Sequence, residues 1–270
     1  MDDQLSFWKS KKVIVVGSDG KIGTELVDRL SGLGAFVVGT SRKRIENFSS
    51  QRIYLDLTEE YSHVDFSVFD IAIICAGITN IDSCRKNPSQ SSAVNVHLTL
   101  KLLHLLDRTQ VKSIFLSSNQ VFDPSISFPS VHERINPRND YAKQKAQVEE
   151  VILKQFKNTT VLRLTKFMEK DGGIISRWRS ETLAGGSVSV FHNVCVSYID
   201  IHEIVNACQY IVCATDSSQL FHIGGKVEST YYDLCIERFI TEGLPTRNIL
   251  RVIQGDGELV HNSLTSNVTP

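Results

Sequence analysis

The feature that most constrains this fold is a short apolar run that ends in a glycine-rich turn. Val13-Ile14-Val15-Val16 has the β-branched composition of a buried strand, and Gly17-Ser18-Asp19-Gly20-Lys21-Ile22-Gly23 follows it directly. The glycines permit a tight turn, and the free amides and positive dipole end of a following helix attract an anion such as pyrophosphate. The alternative is that these glycines only form the turn between a strand and a helix and bind no ligand. The position of the turn favours a dinucleotide site, with cofactor contacts from Gly17, Gly20, Lys21, Ile22 and Gly23.

The same alternation of strand and helix continues through two thirds of the chain. Further strands are predicted near 35–40, 52–55, 69–75, 113–117 and 160–164, and helices near 20–33, 88–107 and 141–156. Such βα units indicate an α/β protein with a Rossmann-type, doubly wound parallel sheet. After Thr165 the rhythm loosens, with a strand near 194–199, a helix near 201–213 and a further strand around His222, a predicted core residue. We therefore expect a Rossmann domain over 1–165 and a smaller C-terminal substrate-binding lobe over 166–270, partly interleaved with the sheet.

Charge and composition exclude several classes of partner. The 270 residues carry a formal net charge of −1, and the longest basic run is Arg42-Lys43-Arg44, which argues against nucleic acid and anionic membranes. The first twelve residues are polar and the apolar runs are only strand-sized, so neither a signal peptide nor a spanning helix is predicted. A cytoplasmic location is expected.

Cysteine and histidine spacing predicts no metal site. The six cysteines form no Cys-x-x-Cys pair, and the eight histidines show no His-Glu-x-x-His spacing. Most of the cysteines lie in apolar stretches, which favours buried, reduced thiols.

The end of the second predicted strand bears on cofactor choice. It reads Gly39-Thr40-Ser41-Arg42-Lys43-Arg44, with three cations and without the acidic residue that usually meets a free ribose 2′-hydroxyl. This favours NADP(H) over NAD(H), with Ser41 and Arg42 as contacts; the alternative is a solvated basic turn. Asp56, followed by Leu57, could reach the adenine or could instead cap a helix beginning near Thr58.

Tyr141 and Lys145 are the strongest catalytic candidates. Four residues apart on a predicted helix, they share one face. A lysine charge beside a tyrosine favours the phenolate, so we expect Lys145 to lower the pKa of Tyr141 and make it a usable proton donor or acceptor.

Together these segments resemble the extended short-chain dehydrogenase/reductase family. The resemblance includes the glycine turn, Cys75-Ala76-Gly77, Asn95, Leu116-Ser117-Ser118, and Tyr141 with Lys145. Within that family the chain is most similar to dTDP-4-dehydrorhamnose reductases, on the segments Ser117 to Asp123 and Val161 to Thr165. The resemblance implies that Ala76, Gly77 and Asn95 lie at the cofactor. It also implies that Tyr141 donates a proton, that Lys145 supports it and binds the nicotinamide ribose, and that Ser118, with Ser117 as the alternate, holds a carbonyl oxygen.

The resemblance implies reduction of a nucleotide-linked 4-ketosugar, possible homodimers, and a role in polysaccharide biosynthesis. Asn119 and Gln120, assigned to the substrate, replace an acid or tyrosine and cannot transfer protons, which disfavours a dehydratase. Lys166 stands where the reductases tend to carry tryptophan. Arg177 could clamp a diphosphate, or could belong to a solvated helix face. Two alternatives stay open: an NADP-binding regulatory subunit without turnover, and a sugar-nucleotide epimerase of the same family.

Overall fold

The first half of the chain builds most of one parallel sheet. The computed structural model describes residues 2–44, 51–169, 173–214 and 219–268. Its elements up to residue 164 are α1 (Asp2–Lys9), β1 (Lys12–Val16), α2 (Lys21–Gly32), β2 (Phe36–Ser41), β3 (Arg52–Tyr54), β4 (Ile71–Ile74), α3 (Ile81–Lys86), α4 (Pro88–Ser92), the π-helical segment Ala93–Leu98, α5 (Thr99–Arg108), β5 (Lys112–Ser118), α6 (Asp140–Gln155) and β6 (Thr159–Leu164).

The second half adds a lobe and returns once to the sheet. Its elements are β7 (Lys166–Phe167), α7 (Gly173–Leu183), β8 (Val188–Phe191), β9 (Cys195–Val196), β10 (Tyr198–Ile199), α8 (Ile201–Cys213), β11 (Leu220–Ile223), β12 (Ser229–Thr230), α9 (Tyr231–Thr241) and β13 (Ile249–Val252). Helices α7 and α9 pack with strands β8 and β13 around the buried Trp178 and Phe239, which form the core of this lobe.

Within the described residues, seven strands form the central sheet in the order β11-β6-β5-β4-β1-β2-β3, and all their pairings are parallel. The predicted α/β class and parallel Rossmann-type sheet are therefore confirmed. The strand order reverses between β1 and β4, and ligands of open α/β sheets bind beyond the carboxyl ends of the strands at such a point. The sheet also draws β11 from the second half of the chain.

The core has two parts, one on each face of the sheet, because successive side chains of a strand point to opposite faces. Val13 and Val15 of β1 face helices α2 and α8, whereas Ile14 and Val16 face helices α5 and α6. Burial on both faces explains the uninterrupted apolar runs in the sequence. His222, in β11, is fully buried, as predicted.

Two helical features differ from the sequence prediction. Helix α1 was not expected, because its residues are mostly polar, but it places Trp8 in the core. The single helix predicted over 88–107 is interrupted by the π-helical segment. Such segments are frequent at functional sites, and this one carries Asn95.

Candidate active site

The glycine turn folds tightly against the end of β4. Gly17 has a φ of +90°, and a Cβ there would lie 2.7 Å from the Cα of Ala76. A Cβ on Gly23 would collide with the carbonyl oxygen of Gly17. Gly20 is the N-cap residue of α2 and has no side chain that could accept from the first-turn amides of this helix. In the described structure those amides are therefore available to an anion. The turn therefore fits a pyrophosphate.

A cavity of about 270 Å³ lies beside this turn at the strand-order reversal. Seven of the predicted cofactor residues line it: Gly17, Gly20, Arg42, Asp56, Leu57, Ala76 and Gly77. Sequence reasoning missed further lining residues, namely Val16, Asp19, Thr40, Leu55, Thr58, Cys75, Ile78 and Val94. The cavity lining does not include the remaining cofactor candidates, which are Lys21, Ile22, Gly23, Ser41 and Asn95.

The cavity wall beside the end of β2 contains an acid that was not among the predicted cofactor residues, Asp19. The Ser41 hydroxyl donates to Asp19 Oδ2 over 2.7 Å, and Arg52 forms an ion pair with Asp19. Asp19 lies in the glycine turn, and β1 and β2 are neighbours, so their carboxyl ends meet. Arg42 lines the cavity beside them. The carboxylate of Asp19 therefore lies beside the cations at the end of β2, where the local sequence contains no acid.

Asp56 stabilises a turn. Its Oδ1 accepts bonds from the Thr58 amide at 2.9 Å and the Thr58 hydroxyl at 2.8 Å. The bond from the Thr58 amide is the main cause that lowers the pKa of Asp56, and the charge of Arg42 adds to it. The helix expected from Thr58 is wrong, because residues 57–59 form a turn and bend.

Asn95 supports the cavity wall from behind. Its Oδ1 accepts from the Ile78 amide at 2.7 Å, and its Nδ2 donates to the Ile78 carbonyl at 2.9 Å. The same Nδ2 donates to Gln144 Oε1 at 2.8 Å, and Gln144 in turn donates to Ser91. Asn95 is buried and ties the loop after β4 to helix α6. Its role in the described structure is to position the loop.

The two serines at the end of β5 point to opposite sides of the strand. Ser117 donates to the buried carboxylate of Glu149. Ser118 accepts from the Gln120 amide at 3.2 Å, and its hydroxyl is near enough to the Tyr141 phenol to lower the pKa of that group. The strand period therefore selects Ser118 over Ser117 as the partner of Tyr141.

Helix α6 presents a tyrosine and a lysine one turn apart, with a glutamate one turn further on. Asn139 caps the helix by accepting from the Ala142 amide at 2.9 Å. Lys145 is buried, its Nζ donates to the Leu116 carbonyl at 2.7 Å, and it lies 5.9 Å from the ring centroid of Tyr141. Ser118, Tyr141 and Lys145 thus converge at the carboxyl end of β5.

Burial dominates the protonation of this group. It raises the pKa of Tyr141 to about 12, although the hydrogen bond with Ser118 opposes the shift. Burial also lowers the pKa of Lys145 to about 8, against the opposing charge of Glu149. The expectation that Lys145 lowers the pKa of Tyr141 is therefore wrong, because loss of solvent raises that pKa more than the Ser118 hydroxyl lowers it. At neutral pH Tyr141 is a protonated phenol, the form that donates a proton.

A buried ion pair lies next to these residues. Glu149 and Arg163 have side chains 1% and 4% exposed, and their closest contact is 2.7 Å. Arg163 binds both carboxylate oxygens and also contacts His222 Nε2 at 3.0 Å. Burial lowers the pKa of His222 to about 3, with the nearby Arg163 charge contributing, so His222 is neutral at physiological pH.

The three substrate candidates lie in two different environments. Gln120 and Asn119 both donate to Oδ1 of Asn262, and thereby bind the C-terminal segment to the turn after Ser118. Arg177 is exposed and lies 3.5 Å from Glu181 on the same helix, so it takes the solvated-face alternative.

A second cavity, of about 160 Å³, lies between β7 and the lobe. Its charged lining residues are Lys166, Glu169, Arg179, Arg238 and Glu242, and Tyr198 also faces it. Arg179 is bound to Glu242 at 2.6 Å, whereas Arg238 Nη2 contacts Met168 Sδ at 3.7 Å, a weak acceptor. Lys21, in the glycine turn, donates to Glu169 of this cavity at 2.6 Å, so the turn and the second cavity are in contact.

Comparison with known proteins finds a family and relatives that this chain is similar to. Residues 11–252 match the RmlD substrate binding domain family. The probable low-salt glycan biosynthesis reductase Agl14 of Haloferax volcanii is 24% identical over 264 residues, which cover 94% of this chain and 84% of that protein.

Solved structures agree on the fold. The dTDP-4-dehydrorhamnose reductase of Bacillus anthracis in complex with NADP superposes with a TM-score of 0.80 at 15% identity, over 95% of this chain and 90% of that one. MoeE5 in complex with UDP-glucuronic acid and NAD gives 0.80 at 18% identity, over the same shares. In the described part of the chain, the helices are too short or too polar to cross a membrane.

Proposed function

The chain belongs to the RmlD substrate binding domain family, a group of sugar-nucleotide-modifying reductases and epimerases, and we propose that it reduces the keto group of a nucleotide-linked 4-ketosugar with NADPH. The observation that carries this proposal is the convergence of Ser118, Tyr141 and Lys145 at the carboxyl end of β5, where the charge of Lys145 acts on Cys75 in the wall of the first cavity. These residues supply a proton donor, a hydrogen-bonding hydroxyl and a cation.

The chain's own residues perform the proton chemistry. Bound NADPH supplies hydride to the carbonyl carbon. Tyr141, protonated because its pKa is raised, donates its phenolic proton to the oxygen as negative charge develops there. Ser118 donates a hydrogen bond to the same oxygen, and Lys145 stabilises the phenolate that remains. The proposal requires no further acid, which is consistent with Asn119 and Gln120.

Preference for NADPH would depend on the end of the first cavity beside β2, where we propose that the adenine ribose of the cofactor lies. Arg42 lines this end, and Ser41 lies next to it. A 2′-phosphate would gain a charge-assisted hydrogen bond from Arg42 but would meet the carboxylate of Asp19, which is already paired with Arg52. Since that pairing offsets the negative charge, the balance favours the phosphate. Replacing Arg42 with alanine should weaken NADPH binding about tenfold and leave NADH binding unchanged, with the exposed Lys43→Ala as the matched control.

The second cavity is a suitable site for the nucleotide diphosphate. Lys166 and Arg238 line it, and the weak contact of Arg238 with a thioether leaves its guanidinium able to bind a phosphate oxygen. Tyr198 lines the same cavity and provides a ring and a hydroxyl. The ion pair between Lys21 and Glu169 joins this cavity to the glycine turn, which supports a substrate site close to the proposed cofactor site.

The decisive test is turnover by the purified chain. NADPH is mixed with a panel of nucleotide-linked 4-ketosugars, and the absorbance of the reduced nicotinamide is followed. We expect at least one ketosugar to oxidise NADPH, and Tyr141→Phe to lower the rate by about 10² to 10⁴-fold. Tyr232→Phe, at a partly buried tyrosine that packs against the core of the lobe, is the matched control and should retain activity.

Each other outcome selects an alternative. Tight NADPH binding without oxidation by any ketosugar would favour a regulatory subunit. Inversion at a sugar carbon without net consumption of NADPH would identify an epimerase. Full activity in Tyr141→Phe would exclude Tyr141 as the proton donor.

A further inference from the structure

Three side chains capable of binding a metal lie close together beside Asn262, which contacts two of these residues through its amide groups. The thiol of Cys195, a carboxylate oxygen of Glu228 and a ring nitrogen of His261 all lie within 4.8 Å of one another. Cys195 is buried, and the side chains of Glu228 and His261 are only 8% and 18% exposed. Because these residues are far apart in the sequence, no local spacing reveals them.

Paired backbone segments hold this cluster in place. Strand β9 carries Cys195 and pairs antiparallel with β12, which begins directly after Glu228. The Cys195 amide donates to the Val260 carbonyl at 2.8 Å, and the His261 amide donates to Pro124 at 2.7 Å. All three ligand residues therefore lie on, or next to, hydrogen-bonded backbone. A site built in this way pays little ordering cost when it binds an ion.

We propose that Cys195, Glu228 and His261 bind a Zn²⁺ ion. Thiolate, imidazole and carboxylate are the ligands that zinc takes in proteins, at about 2.0 to 2.3 Å. A tetrahedral ion at those distances needs donor atoms roughly 3 to 4 Å apart, so side-chain adjustments of about 1 Å close the site. Three protein ligands leave the fourth position to water.

The hydrogen bond between His261 and Glu228 already approximates this geometry. His261 Nδ1 lies 2.8 Å from Glu228 Oε2, which also accepts from Ser127 at 2.9 Å. The ion takes the place of the hydrogen shared by these two atoms. That proton moves through solvent to Nε2, so the imidazole stays neutral, and the Cys195 thiol releases its proton to solvent. Glu228 Oε1 meanwhile accepts from the Asn262 amide at 3.1 Å, a bond that zinc binding leaves intact.

The site is coupled to the turn after Ser118. Asn262 follows His261 in the chain, and its side chain accepts from Asn119 and Gln120. It also donates to the Cys195 carbonyl at 3.0 Å. A bound ion therefore fixes the segment that holds Asn119 and Gln120. This inference does not depend on the proposed ketosugar reduction.

The test uses Co²⁺ and Zn²⁺ on the full chain after treatment with a chelator. One equivalent of Co²⁺ should produce the near-ultraviolet charge-transfer absorption of a cobalt–thiolate bond together with the visible bands of tetrahedral cobalt, and Zn²⁺ should displace it. Cys195→Ser should remove the charge-transfer band. Both Cys195→Ser and His261→Gln should weaken binding by at least about 100-fold, because even loss of a supporting contact costs 10 to 100-fold.

Matched controls are Cys213→Ser and His202→Gln, which change an exposed thiol and an exposed imidazole elsewhere. Circular dichroism of the metal-free variants shows whether each is folded. If Cys195→Ser does not fold, the unaltered chain still decides the question through the presence or absence of the thiolate band. Absence of that band, or equal affinity in the folded Cys195→Ser and His261→Gln variants, would overturn the proposal.

Discussion

Replacing Lys145 with methionine is expected to make the protein more stable and, on the proposed mechanism, catalytically impaired. Lys145 is 6% exposed, and its ammonium bonds to a backbone carbonyl in place of water. Methionine has a similar length and flexibility but carries no charge to desolvate. The substitution therefore separates the cost of keeping a cation at this site from its use in chemistry.

The magnitude follows from the pKa. Burial lowers the pKa of Lys145 from 10.5 to about 8, and each unit corresponds to about 1.4 kcal/mol. The charged form therefore destabilises the native state by about 3 kcal/mol at neutral pH. Loss of the hydrogen bond from Lys145 to the Leu116 carbonyl lowers the free energy of unfolding by about 1 kcal/mol, which offsets part of this gain. The net expectation is a gain of about 2 kcal/mol in the free energy of unfolding.

The pH dependence gives the sign of the effect. Because the native pKa lies below the unfolded one, the unfolded chain holds more protons between about pH 8 and 10.5, and native stability rises with pH there. Lys145→Met lacks this rise, so its advantage should shrink by about 2 kcal/mol between pH 7 and pH 9.5.

Urea unfolding at the two pH values, followed by the fluorescence of the buried Trp8 and Trp178, measures the difference. The exposed Lys143→Met serves as control and should change the unfolding free energy by less than about 0.5 kcal/mol. A variant no more stable than the parent at pH 7, or an advantage that does not depend on pH, would refute the reasoning.

Three further predictions concern the ion pair, the two serines and the glycine turn. Arg163→Met leaves a buried carboxylate unpaired and should lower the free energy of unfolding by about 3 to 5 kcal/mol in urea titrations; a loss below about 1 kcal/mol would contradict this. Ser118→Ala should reduce turnover about 10 to 100-fold with little loss of stability, whereas Ser117→Ala should mainly lower stability, by about 1 to 3 kcal/mol; equal effects on turnover would remove the distinction between them. Gly23→Ala should weaken calorimetric NADPH binding at least about tenfold, because its Cβ meets a backbone carbonyl, while the matched Gly32→Ala in open space should stabilise the chain by about 0.5 to 1 kcal/mol; unchanged binding in Gly23→Ala would show that the turn tolerates a side chain.

Features with a local period could be predicted from the sequence. The apolar runs, the turn from Gly17 to Gly23 and the spacing of Tyr141 and Lys145 each depend on residues close in the chain. The parallel sheet is confirmed because strands buried on both faces have few other arrangements. The cofactor and catalytic roles of these residues stay predictions, but the structure does bring Tyr141, Lys145 and Ser118 together.

What the tertiary structure decided depends on contacts between distant segments and on loss of solvent. Asp19 meets Ser41 and Arg52 only because neighbouring strands end together. The sequence could not show that burial, rather than the lysine charge, controls the pKa of Tyr141. It could not place Cys195 beside His261 either, since that contact forms through backbone pairing in the folded lobe. Local patterns thus fixed the elements of this protein, whereas long-range packing set its electrostatics, because charge energies depend on which groups share a dry environment.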